Sequence, residues 1–320
     1  MMEQLLNVAQ RLQNSLLVAM THWLLGWLMF HAGEFASSQE YLQQALAVYD
    51  PEQYPNLAFV YEQDPGVSIL VWKASNLWCL GYPDQSLHWS QEALALARKL
   101  RHPFTTAFAL TQLGRLHVFR RESQSSRELF EALMRLADEE ELGWHTAALS
   151  LVKGFWMVDA GQVEEGFALA SQGRANMASR GFELLRPYHL ARTAERHGNV
   201  GQAEQGLKLL DEALACLERT GERSYEAEIY WLKGELLQKA EGGRQQAEAE
   251  ACFRRAIGVA RRQQAKSWEL RVVVSLSRLW QRQGKREEAR KILADIYGWF
   301  TEGFDTPDLR EGRALLEELT

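Results

Sequence analysis

The stretch AERHGNVGQAEQGLKLL, residues 194–210, contains the pattern that decides the fold. Its small residues Ala194 and Gly206 are twelve positions apart, with Gly201 between them and Leu210 four positions after Gly206. Two helices that cross closely need small side chains where their axes meet. A glycine between them ends the first helix in the left-handed conformation that other residues avoid. The stretch therefore predicts two antiparallel helices joined by a tight turn.

The same pattern recurs along the chain at intervals of 40 to 48 residues. The first small residues are Gly26, Ala74, Gly114, Gly154, Ala194, Gly234 and Ser277. The second small residues are Ser38, Ser86, Ser126, Gly166, Gly206, Ala249 and Ala289. The separation is twelve positions except in the sixth unit, where it is fifteen and where Gly242-Gly243 indicates a loop insertion. A self-similar period of this kind is typical of a helical-repeat architecture.

A glycine seven positions after the first small residue predicts the turn in five of these units. These glycines are Gly33, Gly81, Gly161, Gly201 and Gly284. In the third unit Arg121 occupies that position, so a different turn is expected there.

Two small residues at this separation, a turn glycine between them and a large residue four positions later resemble the tetratricopeptide repeat. Leu25-Gly26 and Leu113-Gly114 keep the Leu-Gly pair of that repeat, whereas the unit here is longer than the usual ~34 residues. The resemblance implies an all-α protein, a right-handed α-solenoid of about seven tetratricopeptide-like helical hairpins with a C-terminal capping helix. Each hairpin buries its apolar face only by stacking on its neighbours.

We expect one domain over residues 1–320, made of these stacked hairpins. The hairpins are predicted near residues 15–50, 66–100, 104–137, 144–179, 184–219, 224–262 and 268–298. Thr306-Pro307-Asp308 has the order of an N-cap, a first-turn proline and an acidic residue, which predicts the capping helix at 306–319. Residues 50–66 carry three prolines and are expected to be the only long irregular link, either a loop or a hinge.

Composition narrows the class of protein. The chain has 320 residues, 46% of them apolar and 24% charged, which excludes a wholly disordered protein. A net charge of −6 gives no general attraction to nucleic acid or anionic lipid. Three widely separated cysteines do not form a disulfide framework, which favours a reducing, cytoplasmic location. The apolar stretch 15–30 is 16 residues long, shorter than the ~20 that a membrane span needs, and is predicted to be a buried helix.

Motifs for catalysis are absent from the sequence. There is no GxxxxGK[ST] phosphate loop, no HExxH, no GxSxG and no Cys/His cluster. His189 and His197 are eight positions apart with Glu195 between them, but a metal site there would need another ligand. We therefore predict a protein that is not an enzyme and has no catalytic residue, cofactor or metal. A helical-toroid glycosidase, the enzymatic alternative, would need two carboxylates converging in a deep pocket.

Binding is the function class that the pattern favours, because stacked first helices would line the concave face of a solenoid. Counting from each first small residue predicts contacts three positions before it, one position after it and, in the later units, six positions before it. The predicted contact residues are Trp23, Trp27, Arg115, Phe155, Tyr188, Glu195, Glu228, Trp231, Glu235, Arg271 and Arg278. Mixed aromatic, Arg and Glu side chains suit an extended peptide or a partner helix. The alternative is that they are packing residues of the solenoid.

The C-terminal part carries a second resemblance. RTGERSYEAEIYWLKGELL (Arg219–Leu237) and GWFTEGFDTPDL (Gly298–Leu309) are similar to the repeat arm of large bacterial proteins. Those proteins combine a nucleotide cyclase or kinase-like domain, a STAND-type signalling ATPase and tetratricopeptide repeats. The resemblance covers residues 184–320 and implies a sensor or regulatory arm whose partners include attached N-terminal ATPase or cyclase domains. Two alternatives stay open: a domain that senses a small molecule such as a sugar or metabolite, and a free-standing adaptor.

Overall fold

The computed structural model describes residues 8, 11, 14–50, 57–140, 142–179, 181, 183–240 and 245–320. Within these ranges every regular element is a helix, and no strand occurs. The helices are α1 (Ser15–His31), α2 (Phe35–Val48), α3 (Leu57–Tyr61), α4 (Pro65–Leu80), α5 (Pro83–Leu100), α6 (Pro103–Phe119), α7 (Ser123–Glu139), α8 (Gly143–Asp159), α9 (Val163–Ser179), α10 (Arg186–Asn199), α11 (Ala203–Thr220), α12 (Glu226–Lys239), α13 (Gln246–Arg262), α14 (Lys266–Arg282), α15 (Arg286–Tyr297) and α16 (Pro307–Leu319). The predicted all-α class is confirmed. The predicted insertion at Gly242-Gly243 lies outside the described residues.

The chain forms two compact units. Unit 1 comprises the described part of Met1–Glu141 with Gln263–Ser267 and Phe300–Asp308, and unit 2 comprises the described part of Leu142–Arg262 with Trp268–Trp299 and Leu309–Thr320. In unit 1, α1 packs on α2, α4 on α5 and α6 on α7. In unit 2, α8 packs on α9, α10 on α11 and α12 on α13. First helices of successive hairpins also touch, α1 with α4 and α4 with α6 in unit 1, and α8 with α10 and α10 with α12 in unit 2. The predicted stacking of helical hairpins is confirmed within each unit.

The two helices of a hairpin meet at the predicted small residues. The hydroxyl of Ser38 donates to the carbonyl of Gly26 at 2.6 Å, and the hydroxyl of Ser126 donates to the carbonyl of Gly114 at 3.0 Å. A Cβ on Gly114 would lie 2.8 Å from Cζ of Phe130, the large residue four positions after Ser126. The small pair and the large residue therefore form one contact between backbones, as the sequence pattern predicts.

The turns follow the predicted glycines, all of which have φ between 78° and 92°: Gly33, Gly81, Gly161, Gly201 and Gly284. The expectation of a different turn at Arg121 is wrong, because Arg121 has φ 60°. Its N–H donates to the carbonyl of Val118 at 3.0 Å, and the N–H of Glu122 donates to the carbonyl of His117 at 2.9 Å. The same two hydrogen bonds close the turn at Gly33. Packing of α6 on α7 thus imposes the left-handed conformation on a residue that disfavours it.

Arg121→Gly is expected to raise the free energy of unfolding by about 0.5–1 kcal/mol, because glycine adopts this conformation without a steric cost. The partly exposed ion pair between Arg121 and Asp308, 3.1 Å long, is lost but contributes little. Urea denaturation followed by circular dichroism measures the change. The control is the reverse substitution at an equivalent turn, Gly161→Ala. At Gly161 φ is 89° and no atom lies within 4 Å of the added Cβ. This variant should lower the free energy of unfolding by about 1 kcal/mol. A less stable Arg121→Gly variant would show that the arginine is not strained.

The expected irregular link at residues 50–66 is corrected in part. The short helix α3 lies within it, since Leu57 and Ala58 are buried and favour an ordered turn there. Residues 51–56 lie outside the described part of the chain. Asp64 caps α4 by accepting a hydrogen bond from the N–H of Val67 at 3.0 Å, and the hydroxyl of Tyr49 donates to Asp64 Oδ2 at 2.8 Å. The end of the link is therefore tied to α2.

Within unit 1, the segment Phe300–Asp308 lies against the start of α5. Glu302 Oε1 accepts hydrogen bonds from the N–H of Asp84 at 2.9 Å and of Gln85 at 3.0 Å, and the N–H of Gly303 donates to Asp84 Oδ2 at 2.9 Å. These bonds satisfy N–H groups that the first turn of a helix leaves unpaired. The predicted capping helix is present as α16, which begins at Pro307.

The apolar stretch 15–30 forms most of α1, and Ala19, Leu25 and Phe30 are buried. The predicted buried helix is corrected in part, because Leu17 and Leu28 are each 37% exposed. Among the described residues, no helix is both long and apolar enough to cross a membrane.

Candidate functional site

Two of the predicted contact residues of unit 1, Trp27 and Arg115, lie at an aromatic cluster. Trp23 and Trp27 of α1 are half-buried. The Trp27 ring centroid lies 5.0 Å from that of His31, which lies 5.3 Å from that of Trp72. Arg115 of α6 is only 6% exposed, and its guanidinium carbon lies 5.6 Å from the centroid of Trp72. Trp23 and Trp27 are the members of this set that solvent reaches to an appreciable degree.

Five charged side chains of unit 2 form a connected row that joins α8, α10 and α12. We call it the charged row, and it consists of Asp159, Arg196, Glu195, Arg192 and Glu228. Arg196 pairs with Asp159 at 3.4 Å and with Glu195 at 3.5 Å, and Arg192 pairs with Glu195 at 3.1 Å. Arg192 Nη2 also donates to Glu228 Oε1. Opposite charges therefore alternate from one first helix to the next.

The inner end of the charged row is inaccessible to solvent. Arg192 is 6% exposed and Glu228 is 0% exposed. Burial lowers the pKa of Arg192, but the carboxylates of Glu195 and Glu228 outweigh it, so the pKa is raised. Burial raises the pKa of Glu228 despite the nearby Arg192 and Arg271. Burial also acts to raise the pKa of Glu195, but Arg192 and Arg196 outweigh it and the pKa is lowered. The charged row thus contains one carboxylate with a lowered pKa, Glu195, and one buried carboxylate with a raised pKa, Glu228.

Two aromatic residues of unit 2 pack against the arginines of the charged row. Phe155 of α8 is 6% exposed and packs with Leu151, and the guanidinium carbon of Arg196 lies 4.2 Å from its ring centroid. Tyr188 of α10 is 8% exposed, with its ring centroid 5.1 Å from that of Tyr225. Both rings are packing residues that hold the arginines of α10 in place.

Trp231 of α12 is half-exposed and firmly oriented. Its indole N–H donates to the hydroxyl of Ser275 at 2.8 Å. The guanidinium carbon of Arg271 lies 5.6 Å from the Trp231 ring centroid and 5.0 Å from that of Trp268. A side chain fixed in this way loses little conformational freedom when it binds a partner.

The structure separates the predicted contact residues by exposure. The buried ones are Arg115, Phe155, Tyr188, Glu228 and Arg271, and the half-exposed ones are Trp23, Trp27, Glu195, Trp231 and Glu235. Arg278 is exposed, but it pairs with Glu311 of α16 at 2.7 Å rather than with the charged row. Contact with a partner therefore requires the half-exposed set, while the buried set gives the surface its shape.

Sequence reasoning missed Arg192 and Arg196, which supply both cations of the charged row. A usable signal was present, because the two arginines are four positions apart and lie on one side of a helix with Glu195. His197, considered as a metal ligand, stacks on Phe167 with ring centroids 3.8 Å apart. Among the described residues, no group of three or more His, Cys, Asp or Glu could hold a metal ion.

Comparisons with known proteins give a likeness of fold. No protein family and no curated protein matches the chain by sequence. Solved structures that match include the yeast Tom70 (TM-score 0.49, 12% identity) and the APC/C hetero-tetramer Cut9-Hcn1 (TM-score 0.44, 11% identity). Each match covers 99% of this chain, which spans only 57% of the Tom70 chain and 58% of the other. Both are helical-repeat proteins of the tetratricopeptide type. At these scores neither match supports an inference about function.

Proposed function

We propose that the chain is a non-enzymatic scaffold that binds a protein segment in unit 2. The proposed surface is the solvent-facing side of the charged row, where Glu195 and the nearby α12 residue Trp231 are half-exposed. The observation that carries the proposal is the buried pair of Arg192 and Glu228, above which Glu195 and Trp231 stay half-exposed. Breaking a buried ion pair is costly, so this pair fixes the spacing of α10 and α12. A fixed surface with an oriented tryptophan is pre-organised for binding.

The accessible side chains define the chemistry of the partner. Trp231 offers an apolar face, and Glu235, four residues later on α12, and Glu195 of α10 offer half-exposed carboxylates. Because Glu195 already pairs with two arginines, Glu235 is the carboxylate that a partner can engage. We therefore propose a segment that carries an apolar or aromatic residue for Trp231 next to a lysine or arginine for Glu235.

The same geometry favours binding over glycoside hydrolysis. That reaction needs two carboxylates that both reach the substrate. In the charged row, Glu228 is 0% exposed and Glu195 is held by Arg192 and Arg196. Neither carboxylate is placed to serve as an acid or nucleophile for a bound sugar, which counts against a glycosidase site at the charged row.

The binding proposal is tested by selecting peptides from a random twelve-residue display library against the full chain. Selected peptides should contain a basic residue beside an apolar one, and Trp231→Ala should weaken their binding about 30-fold, as for a typical hot spot. Glu235→Lys should weaken it about 10-fold by reversing a charge on a half-exposed side chain.

The matched control is Glu218→Lys on α11, where the side chain is 76% exposed and lies on a second helix. It should leave peptide affinity within about twofold. Circular dichroism of each variant shows whether it folds. If the selection yields no binder, or if Glu218→Lys weakens binding as much as Glu235→Lys does, the proposed surface is wrong.

We further propose, from the resemblance of residues 184–320, that the chain acts in the bacterial cytoplasm as the sensor or regulatory arm of a signalling ATPase or nucleotide cyclase. Binding of the partner segment would favour one arrangement of the arm and so release or restrain the attached domains. The genomic reading frame upstream of Met1 tests this role. An in-frame phosphate-loop ATPase or cyclase would support it, and a stop codon would favour a free-standing adaptor.

A further inference from the structure

Unit 2 contains a cavity of 240 Å³ between α9, α10 and α11, away from the charged row. Arg174 and Met177 of α9, Arg186 and Leu190 of α10, and Glu212 of α11 are among the residues that line it. Two arginines therefore face the cavity with one carboxylate. The cavity is partly open to solvent, since Ser171 and Ala175 of its lining are exposed.

Arg174 is the arginine of the cavity that makes no direct ion pair with a carboxylate of the described residues. It is half-buried, and its Nη1 donates to the hydroxyl of Thr193 at 2.9 Å. Burial lowers the pKa of its guanidinium, while Glu212 acts to raise it and Arg186, with a smaller effect, acts to lower it. An anion in the cavity would offset the effect of burial.

Glu212 makes its direct ion pair with Arg186 and not with Arg174. Arg186 Nη2 donates to Glu212 Oε1 at 2.8 Å, and its Nη1 reaches Glu183 at 3.4 Å. These pairs hold Arg186 and Glu212 at the cavity wall. The remaining donors of Arg174 are therefore open to a carboxylate or phosphate oxygen, which a guanidinium binds through two parallel hydrogen bonds.

The rest of the lining limits the ligand by size and polarity. Met177 is 7% exposed and Leu190 is 3% exposed, so part of the wall is apolar. The volume of 240 Å³ is below the range of about 300–1,000 Å³ that is usual for drug-sized ligands. A compact anion with a short apolar body fits both features.

We propose that this cavity binds a small organic anion, with its carboxylate or phosphate on Arg174 and its apolar part against Met177 and Leu190. The lining of the cavity shares no residue with the proposed peptide-binding surface, and the anion proposal does not depend on the peptide-binding one. It would give the arm a second input, a metabolite sensed between hairpins, in line with the small-molecule alternative considered from the sequence.

Thermal unfolding of the full chain tests the proposal with sodium acetate, butyrate, hexanoate and phosphate, each compared with sodium chloride at equal ionic strength. We expect a rise in Tm of about 2–4 °C at ten times Kd, larger for butyrate than for acetate. A response to phosphate alone would assign the site to phosphorylated ligands, and a response to carboxylates alone would assign it to organic acids. No rise above chloride with any of the four salts would overturn the proposal.

Arg174→Gln removes the charge but keeps a polar side chain, and it should weaken anion binding at least 10-fold, while peptide binding stays unchanged. The control is Arg254→Gln on α13, where the side chain is 60% exposed and pairs with Glu250; it should keep the full shift. An equal shift in Arg174→Gln and the unmodified chain would refute the assignment.

If Arg174→Gln does not fold, modification of the unmodified chain by phenylglyoxal gives the same answer. The anion should slow modification of Arg174 at least threefold and leave that of Arg254 unchanged, as read by peptide mass spectrometry. Equal rates at Arg174 with and without the anion would count against the site.

Discussion

Arg192→Met is expected to lower the free energy of unfolding by about 3–5 kcal/mol, because it leaves the carboxylate of Glu228 buried without its partner. Glu228 is 0% exposed, so water cannot replace the lost hydrogen bond to Oε1. Urea denaturation followed by circular dichroism and tryptophan fluorescence measures the loss. The control is Arg254→Met, which removes an exposed surface pair and should change stability by less than about 1 kcal/mol.

A double variant separates the ion pair from simple packing. Arg192→Met combined with Glu228→Met replaces both charges by apolar groups of similar length, and stability should return to within about 1 kcal/mol of the unmodified chain. Additive losses in the double variant would show that the two side chains act independently and that the pair does not fix α10 to α12.

The deficit of Arg192→Met should depend on pH in a defined direction. Burial raises the pKa of Glu228, so between the ordinary pKa and the raised one the folded state binds more protons than the unfolded state. Stability from this group is therefore present at low pH and is lost as pH rises through the folded pKa. Removing Arg192 raises that pKa further, so the deficit should be largest near pH 7 and smaller near pH 5. A deficit that is constant over this range would contradict the assignment of charge to Glu228.

Gly154→Ala is the second substitution with a large expected effect. A Cβ at position 154 would lie 2.5 Å from the carbonyl oxygen of Gly166 and 2.6 Å from the N of Ala170. These are backbone atoms that cannot rotate away, so α8 and α9 would have to separate. We expect a loss of about 2–3 kcal/mol in the free energy of unfolding, measured by urea denaturation.

The matched control for Gly154→Ala is Gly258→Ala in α13. A Cβ there would meet only the end of Arg262, at 3.8 Å. Without crowding, alanine should stabilise the helix by about 0.5–1 kcal/mol. Opposite signs at the two positions are the expected result. A stabilising Gly154→Ala would mean that the hairpin does not depend on close approach of its two backbones.

The hairpins could be predicted from the sequence because their determinants are local and periodic. Gly114, Ser126 and Phe130 lie within 17 residues and encode one contact, which the structure confirms. The turn at Arg121 could not be predicted from residue preference, since helix packing on both sides outweighs a local cost of about 1–2 kcal/mol. The bonds of Glu302 to Asp84 and Gln85 join positions more than 200 residues apart, and no periodic signal encodes them.

The candidate site could be predicted only in part, because counting from the small residue treats all first helices alike. Tyr188, Glu228 and Arg271 are equivalent by that count. In the structure, however, Glu228 meets Arg192, one helical turn after Tyr188. Counting aligned positions therefore does not reveal which side chains meet between neighbouring first helices. The exposure of the predicted residues could not be predicted from the sequence either. Arg271 of α14 is buried, whereas Trp231 of α12, whose ring it contacts, is half-exposed.

Hydrogen–deuterium exchange with and without a selected peptide tests most directly whether the first helices of unit 2 form the binding surface. We expect the peptide to slow exchange in Arg186–Asn199 and Glu226–Lys239, the ranges of α10 and α12, and to leave the second helices α11 and α13 unchanged. Slower exchange confined to the second helices, or no change in α10 and α12 at a saturating concentration of peptide, would contradict it.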